Sequence, residues 1–351
     1  MTPARDSRLN PVLSLALCAA AGYGFMWLGM PLPWMIGPML AMAACNFSGA
    51  GLRAPRGGRH LGQLIIGCAL GLYFTPDAAL EVASYWPLLL AAVLMAILLG
   101  WLCGWFLARI TGTDSVTAFF ASVPGGAVEM AILGERFGGR VDRIALAQSL
   151  RILTVVIAVP FVLTYTGVHG SHAYQPAILE FRWGGFIALL AVCAAAGGLL
   201  EWLRMPNAFV FGSLAVTATL TASQIELSSM PVIVSNAGQM LLGCALGARF
   251  ERRLLSSLPR YAAGVLASIA LAIVLSAGFA ALLAWESGLP VPSLVLATAP
   301  GGIAEMCITA KVLQLGVPLV TAAHVARILV LLVGTGPMFR LARLVRRRML
   351  L

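Results

Sequence analysis

Two glutamates follow helix-breaking tripeptides inside apolar stretches of the chain. Glu129 comes after the Pro-Gly-Gly run at residues 124–126, and Glu305 comes after the same run at residues 300–302. An acid in a membrane interior costs about 2.5–3.5 kcal/mol on insertion scales, so such residues are usually functional or paired. Three roles fit this pattern: a proton carrier, a cation ligand beside exposed carbonyls, or an acid that complements the dipole of a restarting helix.

Two arginines occupy matching places in later apolar stretches. Arg151 is three residues after Gln148, and Arg327 is three residues after His324, so each pair shares a helix face. A guanidinium can hold a carboxylate with two parallel hydrogen bonds. The arginines therefore indicate either a site for an anionic solute or fixed ion pairs with the glutamates, and the sequence leaves both open.

Other polar residues near these motifs are candidates for a cavity wall. Ser122 and Thr298 precede the two prolines by two residues, where their hydroxyls would reach the break. Gln63 and Gln239 lie in glycine-rich stretches, in which the glycines predict close helix packing and the glutamines predict hydrogen bonds into a cavity. Lys311 has no charged counterpart in the first half and is predicted to be a loop charge.

The predicted solute- and ion-binding residues lie in the Pro-Gly-Gly motifs or in the polar positions that accompany them. They are Glu129, Glu305, Arg151, Arg327, Pro124, Gly125, Gly126, Pro300, Gly301, Gly302, Gln63, Gln239, Gln148, His324, Ser122 and Thr298. No catalytic residue, metal site or cofactor is predicted.

These residues recur because the chain contains an internal duplication at a constant offset. The segment 122–130 matches 298–306, and the segment 62–71 matches 238–247. The register holds from residue 62 onward, whereas the start of the repeat aligns only with small gaps. We expect a first transmembrane repeat at residues 1–175 and a second at residues 176–351.

The composition predicts an all-α polytopic membrane protein. Of 351 residues, 60% are hydrophobic and only 10% are charged, against about 25% charged in typical soluble domains. The net charge of +10 comes largely from basic residues in short loops, which is typical of cytoplasmic loops rather than of nucleic-acid binding. The seven cysteines lie in apolar stretches and are predicted to be buried hydrophobic side chains.

About ten transmembrane helices are predicted, with two further apolar segments, 113–134 and 290–312, that contain the Pro-Gly-Gly runs. The predicted crossings lie at about residues 11–29, 32–48, 60–76, 84–108, 143–167, 183–203, 206–223, 235–250, 261–285 and 318–339. If each Pro-Gly-Gly segment is re-entrant, each half crosses five times, so the halves form an inverted repeat with both termini and the Arg-rich tail in the cytoplasm. If these segments cross fully, the repeats are parallel. The inverted repeat is the favoured prediction, because it places almost every basic loop on one side of the membrane. His169 and His172, in the linker between the halves, are only a weak metal signal.

The duplicated Pro-Gly-Gly-x-x-Glu-Met and Gly-Gln-x-x-x-Gly-Cys-Ala-Leu-Gly motifs, with the chain length, resemble the bacterial membrane AbrB family. The resemblance implies a polytopic protein of the bacterial inner membrane with an internal duplication, and it supplies no catalytic residues. Members often carry an ammonia monooxygenase label. Copper or iron oxidation chemistry uses clustered ligands, whereas the four histidines are scattered along the chain, so we do not expect an enzyme.

Together these features predict a secondary transporter of a small polar or charged solute, coupled to protons or another cation. A small organic anion is favoured over ammonium or an amine. The alternative is a membrane-embedded regulatory or scaffold protein that affects gene expression indirectly and moves no solute. The expected partners are the solute, the coupling ion and the lipid bilayer, with no nucleic acid; a homodimer is left open.

Overall fold

A computed structural model describes residues 9–167, 180–225, 227–250 and 258–348. Within these ranges the chain forms fifteen helices and no strand. His169, His172 and Glu226, together with Arg252 and Arg253, lie outside the described residues. The side chains of the Arg-rich tail lie outside them as well.

Of these helices, eight come from the first half of the chain and seven from the second. The first eight are α1 (Leu9–Trp27), α2 (Pro33–Phe47), α3 (Gly58–Gly71), α4 (Pro76–Ser84), α5 (Trp86–Thr111), α6 (Ser115–Ser122), α7 (Ala127–Arg136) and α8 (Val141–Tyr165). The others are α9 (Trp183–Trp202), α10 (Ala208–Ala222), α11 (Val232–Gly247), α12 (Pro259–Ser287), α13 (Val291–Thr298), α14 (Ile303–Val312) and α15 (Val317–Arg348).

Each of the ten predicted crossings coincides with a helix, and each Pro-Gly-Gly segment contains two short helices separated by the break. The sequence analysis missed α4, which the structure places in the connection after α3. The axes of α3 and α4 differ by 90°. Lys311, predicted to be a loop charge, instead lies in the last turn of α14. A cation there is favourable because the carbonyl end of a helix is negative.

The apolar helices identify a membrane-embedded protein. Four of them, α5, α8, α9 and α12, are long and apolar enough to cross a bilayer, with mean hydropathies of 2.4, 2.0, 2.0 and 2.5, and the bent pair α3–α4 would make a fifth span. Three shorter apolar helices lie at Ala208–Ala222, Val232–Gly247 and Val317–Leu332. Ten crossings and their orientation stay predictions.

Exposed tryptophans mark the ends of the apolar helices. Trp183 and Trp202 lie at the two ends of α9, and Trp285 lies in the last turn of α12. Their side chains are 72%, 78% and 83% exposed. Tryptophan favours the boundary between lipid and water, where one end of the ring is apolar and the other is wet. This placement agrees with helices that end at a membrane surface.

The order of the helices repeats with the same offset as the sequence. Helices α6 and α13 start and end at equivalent residues of the two motifs, and so do α7 and α14. Helix α15 likewise begins at the residue equivalent to the start of α8. The duplication therefore extends from the motifs to the bounds of the elements that carry them.

The structure divides into two compact units, each built from pieces of both halves. The first unit comprises Met1–Ser84, Val156–Pro259 and Ala304–Pro318. The second comprises Tyr85–Val155, Arg260–Ile303 and Leu319–Leu351. The division follows the duplication only in part, because Ala304–Pro318 lies in the first unit whereas its equivalent, residues 128–142, lies in the second.

In the first unit the two halves pack against each other through equivalent surfaces. Helix α2 packs on α11 and α3 packs on α10, which are the same contact under the duplication. Helices α3 and α11 meet at equivalent glycines: a Cβ at Gly62 would lie 2.8 Å from the carbonyl oxygen of Gly238. A contact between equivalent residues is the property of an interface with two-fold symmetry.

Glycines set the closeness of these contacts. A Cβ at Gly67 would lie 2.7 Å from the Val210 carbonyl oxygen on α10, and a Cβ at Gly243 would overlap the Met35 carbonyl oxygen on α2. Small residues allow membrane helices to approach until their backbones touch. The predicted packing role of the glycine-rich stretches is therefore confirmed.

In the second unit, α6 packs against α5 and α7, and two apolar clusters hold the broken segments in place. One cluster places Phe120, Val123 and Met130 of the first break against Ile144 of α8. The other places Leu294 of α13 with Leu88 of α5. These contacts fix both breaks in the core of this unit.

Candidate functional site

The first break begins where Pro124 ends α6. Asp114 caps the start of α6 by accepting a hydrogen bond from the Thr117 amide at 2.8 Å. After Ser122 the backbone becomes extended, with ψ of 129° at Val123 and 137° at Gly126. Proline has no N–H, so the carbonyl four residues earlier loses its helical partner. In a membrane such backbone groups must be satisfied by the protein or by a cavity.

A side chain on the next long helix replaces the missing donor in each repeat. The Gln148 amide donates to the Phe120 carbonyl oxygen at 2.8 Å, which is the carbonyl that Pro124 leaves without a partner. In the second repeat His324 Nε2 bonds to the Leu296 carbonyl oxygen at 2.9 Å, in the equivalent place before Pro300. Two different side chains therefore perform one structural role.

The arginines bind the carbonyls on both sides of each proline. Arg151 donates to the carbonyl oxygens of Val123 at 2.9 Å and Gly125 at 3.0 Å. Arg327 donates to the carbonyl oxygens of Ala299 at 2.6 Å and Gly301 at 2.5 Å. These partners are equivalent under the duplication. Sequence reasoning considered a solute or the glutamates as partners of the arginines and did not foresee the broken backbone.

His324 is also held by its own arginine. An Arg327 N–H donates a hydrogen bond to Nδ1 of His324 at 2.7 Å, so Nδ1 carries no proton. Nε2 therefore carries the ring proton and donates a hydrogen bond to the Leu296 carbonyl oxygen. Both residues are almost fully buried, with exposures of 0% and 3%. The second break is thereby fixed by a connected set of hydrogen bonds.

The two glycines of the first break make room for the next helical turn. The Glu129 carboxylate lies over Gly126, where any Cβ would overlap it. A Cβ at Gly125 would lie 2.7 Å from the Met130 side chain. Glu129 is in the first turn of α7, where the free N–H groups favour a negative charge. The recurrent Gly-Gly and Glu-Met residues are therefore parts of one local packing arrangement.

Glu305 occupies the same position in the first turn of α14. It is 8% exposed, whereas Glu129 is only half-buried. The backbone carbonyl of Glu305 accepts a hydrogen bond from the Thr309 hydroxyl at 2.8 Å. The two acids therefore share a helical position but differ in their access to solvent.

A small cavity in the second unit joins the two breaks. Pro124 and Pro300 both line it, and α5 and α12 supply apolar walls. Its polar lining comes from Ser122, Ser268 and Arg151. Its volume is about 20 Å³, which is room for one or two water molecules. The cavity brings together Pro124, Pro300, Ser122 and Arg151 out of the predicted site residues.

The two hydroxyls at the breaks have different surroundings. Ser122 Oγ is buried and makes no hydrogen bond within the described part of the chain. The equivalent hydroxyl of Thr298 donates to carbonyl oxygens of Leu294 at 2.9 Å and Ser276 at 3.2 Å. The duplication has therefore diverged at this position.

The remaining predicted residues lie in other surroundings. Gln63 and Gln239 are buried in α3 and α11 of the first unit. The Gln63 amide donates at 3.0 Å to Oδ1 of Asn207, which also accepts from Arg59 at 3.1 Å. Sequence reasoning missed Asn207, a left-handed residue (φ 50°) just before α10.

Sequence reasoning also missed the residues that α5 and α12 contribute to the cavity. Cys103 and Ser268 both line it, and the Ser268 hydroxyl donates to the Cys103 carbonyl oxygen at 3.2 Å. Serines inside the long apolar helix α12 were the available signal. The six cysteines other than Cys45, which is half-buried, are buried as predicted.

Comparison with known proteins matches nearly the whole chain. The family described as "Transition state regulatory protein AbrB" matches residues 34–343. A protein of Escherichia coli (strain K12) named "Putative regulator AbrB" is 28% identical over 328 residues, which cover 93% of each chain. "Uncharacterized protein YhjN" of Bacillus subtilis (strain 168) is 26% identical over 363 residues, covering 96% of this chain and 94% of that relative. The chain therefore belongs to the AbrB family and is a helical, membrane-embedded member of it.

Proposed function

We propose that this protein is a secondary transporter of a small polar or charged solute, driven by a proton or another cation. The observation that carries the proposal is the cavity on which the prolines of both breaks and Arg151 converge. Paired discontinuous helices around a central site are a recurrent design of secondary transporters. The protein would move its solute across the bacterial inner membrane rather than transform it chemically.

The broken backbone gives this site the means to bind a solute. Helix α7 restarts after the first break, whose Pro124 lines the cavity, and the first N–H groups of a helix attract negative charge. Backbone that is neither helical nor lipid-exposed persists at membrane depth only when it is buried or lines a cavity. A cavity bounded by two such breaks is the arrangement that a passing solute requires.

An inverted arrangement of the repeats would give the site its two accessible states. Ten crossings and two re-entrant segments would place the halves in opposite orientations, with both termini in the cytoplasm. The equivalent contacts in the first unit, where Gly62 meets Gly238, support a two-fold relation between the repeats. Rocking of one repeat-derived part against another would then expose the site alternately to the two sides.

The glutamates are the proposed coupling residues. Glu129 and Glu305 lie in the first helical turns after the breaks, and Glu305 is nearly buried. A carboxylate at such a place can carry a proton or ligate a cation during the cycle. The half-buried Glu129 has the better access for an ion that enters from solution.

The regulatory alternative rests on the name of a relative, "Putative regulator AbrB". Such a protein would influence gene expression from the membrane and would move no solute. It would have no need of a polar cavity between two breaks of matching geometry, whereas Arg151, Ser122 and Ser268 line one here. Transport is therefore the better-supported function.

Purified protein tests the proposal in two steps. A thermal-shift screen against organic acids and amines comes first, because a ligand that binds the folded state raises the apparent melting temperature. Hits are then assayed for flux in proteoliposomes. We expect Glu129→Gln to abolish flux while the protein stays folded; full flux in this variant would remove Glu129 from coupling. Glu286→Gln, a change at an exposed site near the end of α12, is the control.

A further inference from the structure

We propose that the cavity binds a small monovalent anion, and that only the first repeat supplies its ligands. Ser122 and Arg151 would hold the anion, while their equivalents Thr298 and Arg327 would serve the structure of the second break. This inference rests on the proposed transport function. It names the chemical class of the substrate and the repeat that binds it.

The charge of the cavity wall favours an anion. Arg151 is 5% exposed and lines the cavity, and the described lining residues include no acidic side chain. Its other polar groups are the hydroxyls of Ser122 and Ser268. In a low-dielectric interior a guanidinium attracts an anion far more strongly than it does in water.

Ser122 supplies a hydrogen-bond donor to the cavity. Its Oγ is buried and makes no hydrogen bond to another described residue, although it lines the cavity. A buried hydroxyl without a partner costs about 1–3 kcal/mol, and this hydroxyl lines the cavity, so a molecule bound there can serve as its partner. An anion that accepts from Ser122 would recover this cost while it is bound.

In the second repeat, the equivalent residues Thr298 and Arg327 have a structural role. The Thr298 hydroxyl has one proton, which it shares between the carbonyl oxygens of Leu294 and Ser276 in a bifurcated hydrogen bond. Arg327 lies closer to its two carbonyl oxygens, at 2.6 and 2.5 Å, than Arg151 lies to its own, at 2.9 and 3.0 Å. Neither Thr298 nor Arg327 is part of the described cavity lining. The two breaks therefore have matching geometry, but only the first would bind the anion.

The size of the cavity limits the anion. The volume of about 20 Å³ accommodates one or two water-sized groups. Formate fits this limit most closely, acetate requires a slight expansion, and longer carboxylates require a different conformation of the protein. The expected order of binding is therefore formate, acetate, propionate.

Binding to full-length protein in detergent tests the assignment. Formate, acetate, propionate, ammonium and methylammonium would be titrated by calorimetry into wild type, Ser122→Ala and Thr298→Val, with flux measured in parallel. We expect Ser122→Ala to weaken formate binding about tenfold, the loss of one hydrogen bond to a charged group. Thr298→Val should change it less than about twofold, because the hydroxyl it removes bonds only the backbone.

Further variants separate binding from folding. Ser122→Thr keeps the hydroxyl and should retain formate binding, even if Ser122→Ala fails to fold. Equal losses in the Ser122 and Thr298 variants would overturn the division of labour. Transport of an amine without any binding of formate would overturn the anion class and leave the transport function standing. Binding of formate without flux of any solute would overturn the transport function and leave the anion class standing.

Discussion

At the residue scale, each break depends on side chains that replace what proline removes from a helix. Gln148 and His324 donate to the carbonyls of Phe120 and Leu296, which lose their helical partners. The arginines bind the next exposed carbonyls. The polar residues of these long helices therefore have a structural role, whatever further role the solute gives them.

Exchanging the two donors tests this role. Gln148→Leu should lower the free energy of unfolding by about 1–3 kcal/mol, because the buried Phe120 carbonyl loses its partner. Gln148→His copies the second repeat and should recover at least half of that loss. Chemical denaturation of the purified variants in detergent would measure both. A Leu variant as stable as wild type would show that the hydrogen bond to Phe120 is dispensable.

Gly126 provides a second test at the same scale. Gly126→Ala would drive a methyl group into the Glu129 carboxylate and displace the acid, so we expect a large loss of flux. Gly278→Ala is the matched control, since its Cβ meets nothing within 4 Å in the interior of α12. The control should gain up to about 1 kcal/mol from helix propensity. Normal flux with Ala at position 126 would show that the position of Glu129 is unimportant.

At the element scale, close backbone contacts hold the short helices of the first unit together. Gly67 on α3 approaches α10, and Gly243 on α11 approaches α2 in the equivalent contact. Individual contacts between membrane helices gain little from the hydrophobic effect, because the surrounding lipid is equally apolar. Shape complementarity at glycine therefore contributes most to these interfaces.

Equivalent substitutions should have equivalent effects on these interfaces. Gly67→Ala and Gly243→Ala would each force two helices apart, at a cost of about 1–3 kcal/mol. Gly198→Ala on α9 should be harmless, because nothing lies within 4 Å of its Cβ. Thermal unfolding of the three variants would rank them. A harmless result at positions 67 and 243 would refute glycine-dependent packing in the first unit.

For the molecule as a whole, five predicted crossings in each half mean that the two repeats enter the membrane in opposite directions. Cysteines introduced at positions 140 and 253 should then both react with a membrane-impermeant maleimide that is added on the cytoplasmic side. A cysteine at position 81 should react from the opposite side and serves as the control. Labelling of positions 140 and 253 from different sides would exclude the inverted topology.

The class of protein, the duplication and the places of most helices could be predicted from the sequence. These features follow from composition, from hydrophobic runs and from helix breakers, all of which act locally along the chain. Helix α4 was not predicted, because its charged residues, Asp77 and Glu81, are typical of a loop between apolar segments. A short amphipathic helix carries too weak a periodic signal to be separated from such a loop.

The contacts of the polar residues could not be predicted from the sequence. Arg151 could be matched from sequence to a solute or to a glutamate, yet its bonds to the Val123 and Gly125 carbonyls depend on a neighbouring segment that lies 28 and 26 residues away in sequence. The different surroundings of Ser122 and Thr298 are likewise invisible in two nearly identical motifs. Hydrogen-bond partners are set by atoms a few ångströms apart in space, and sequence spacing does not record that distance.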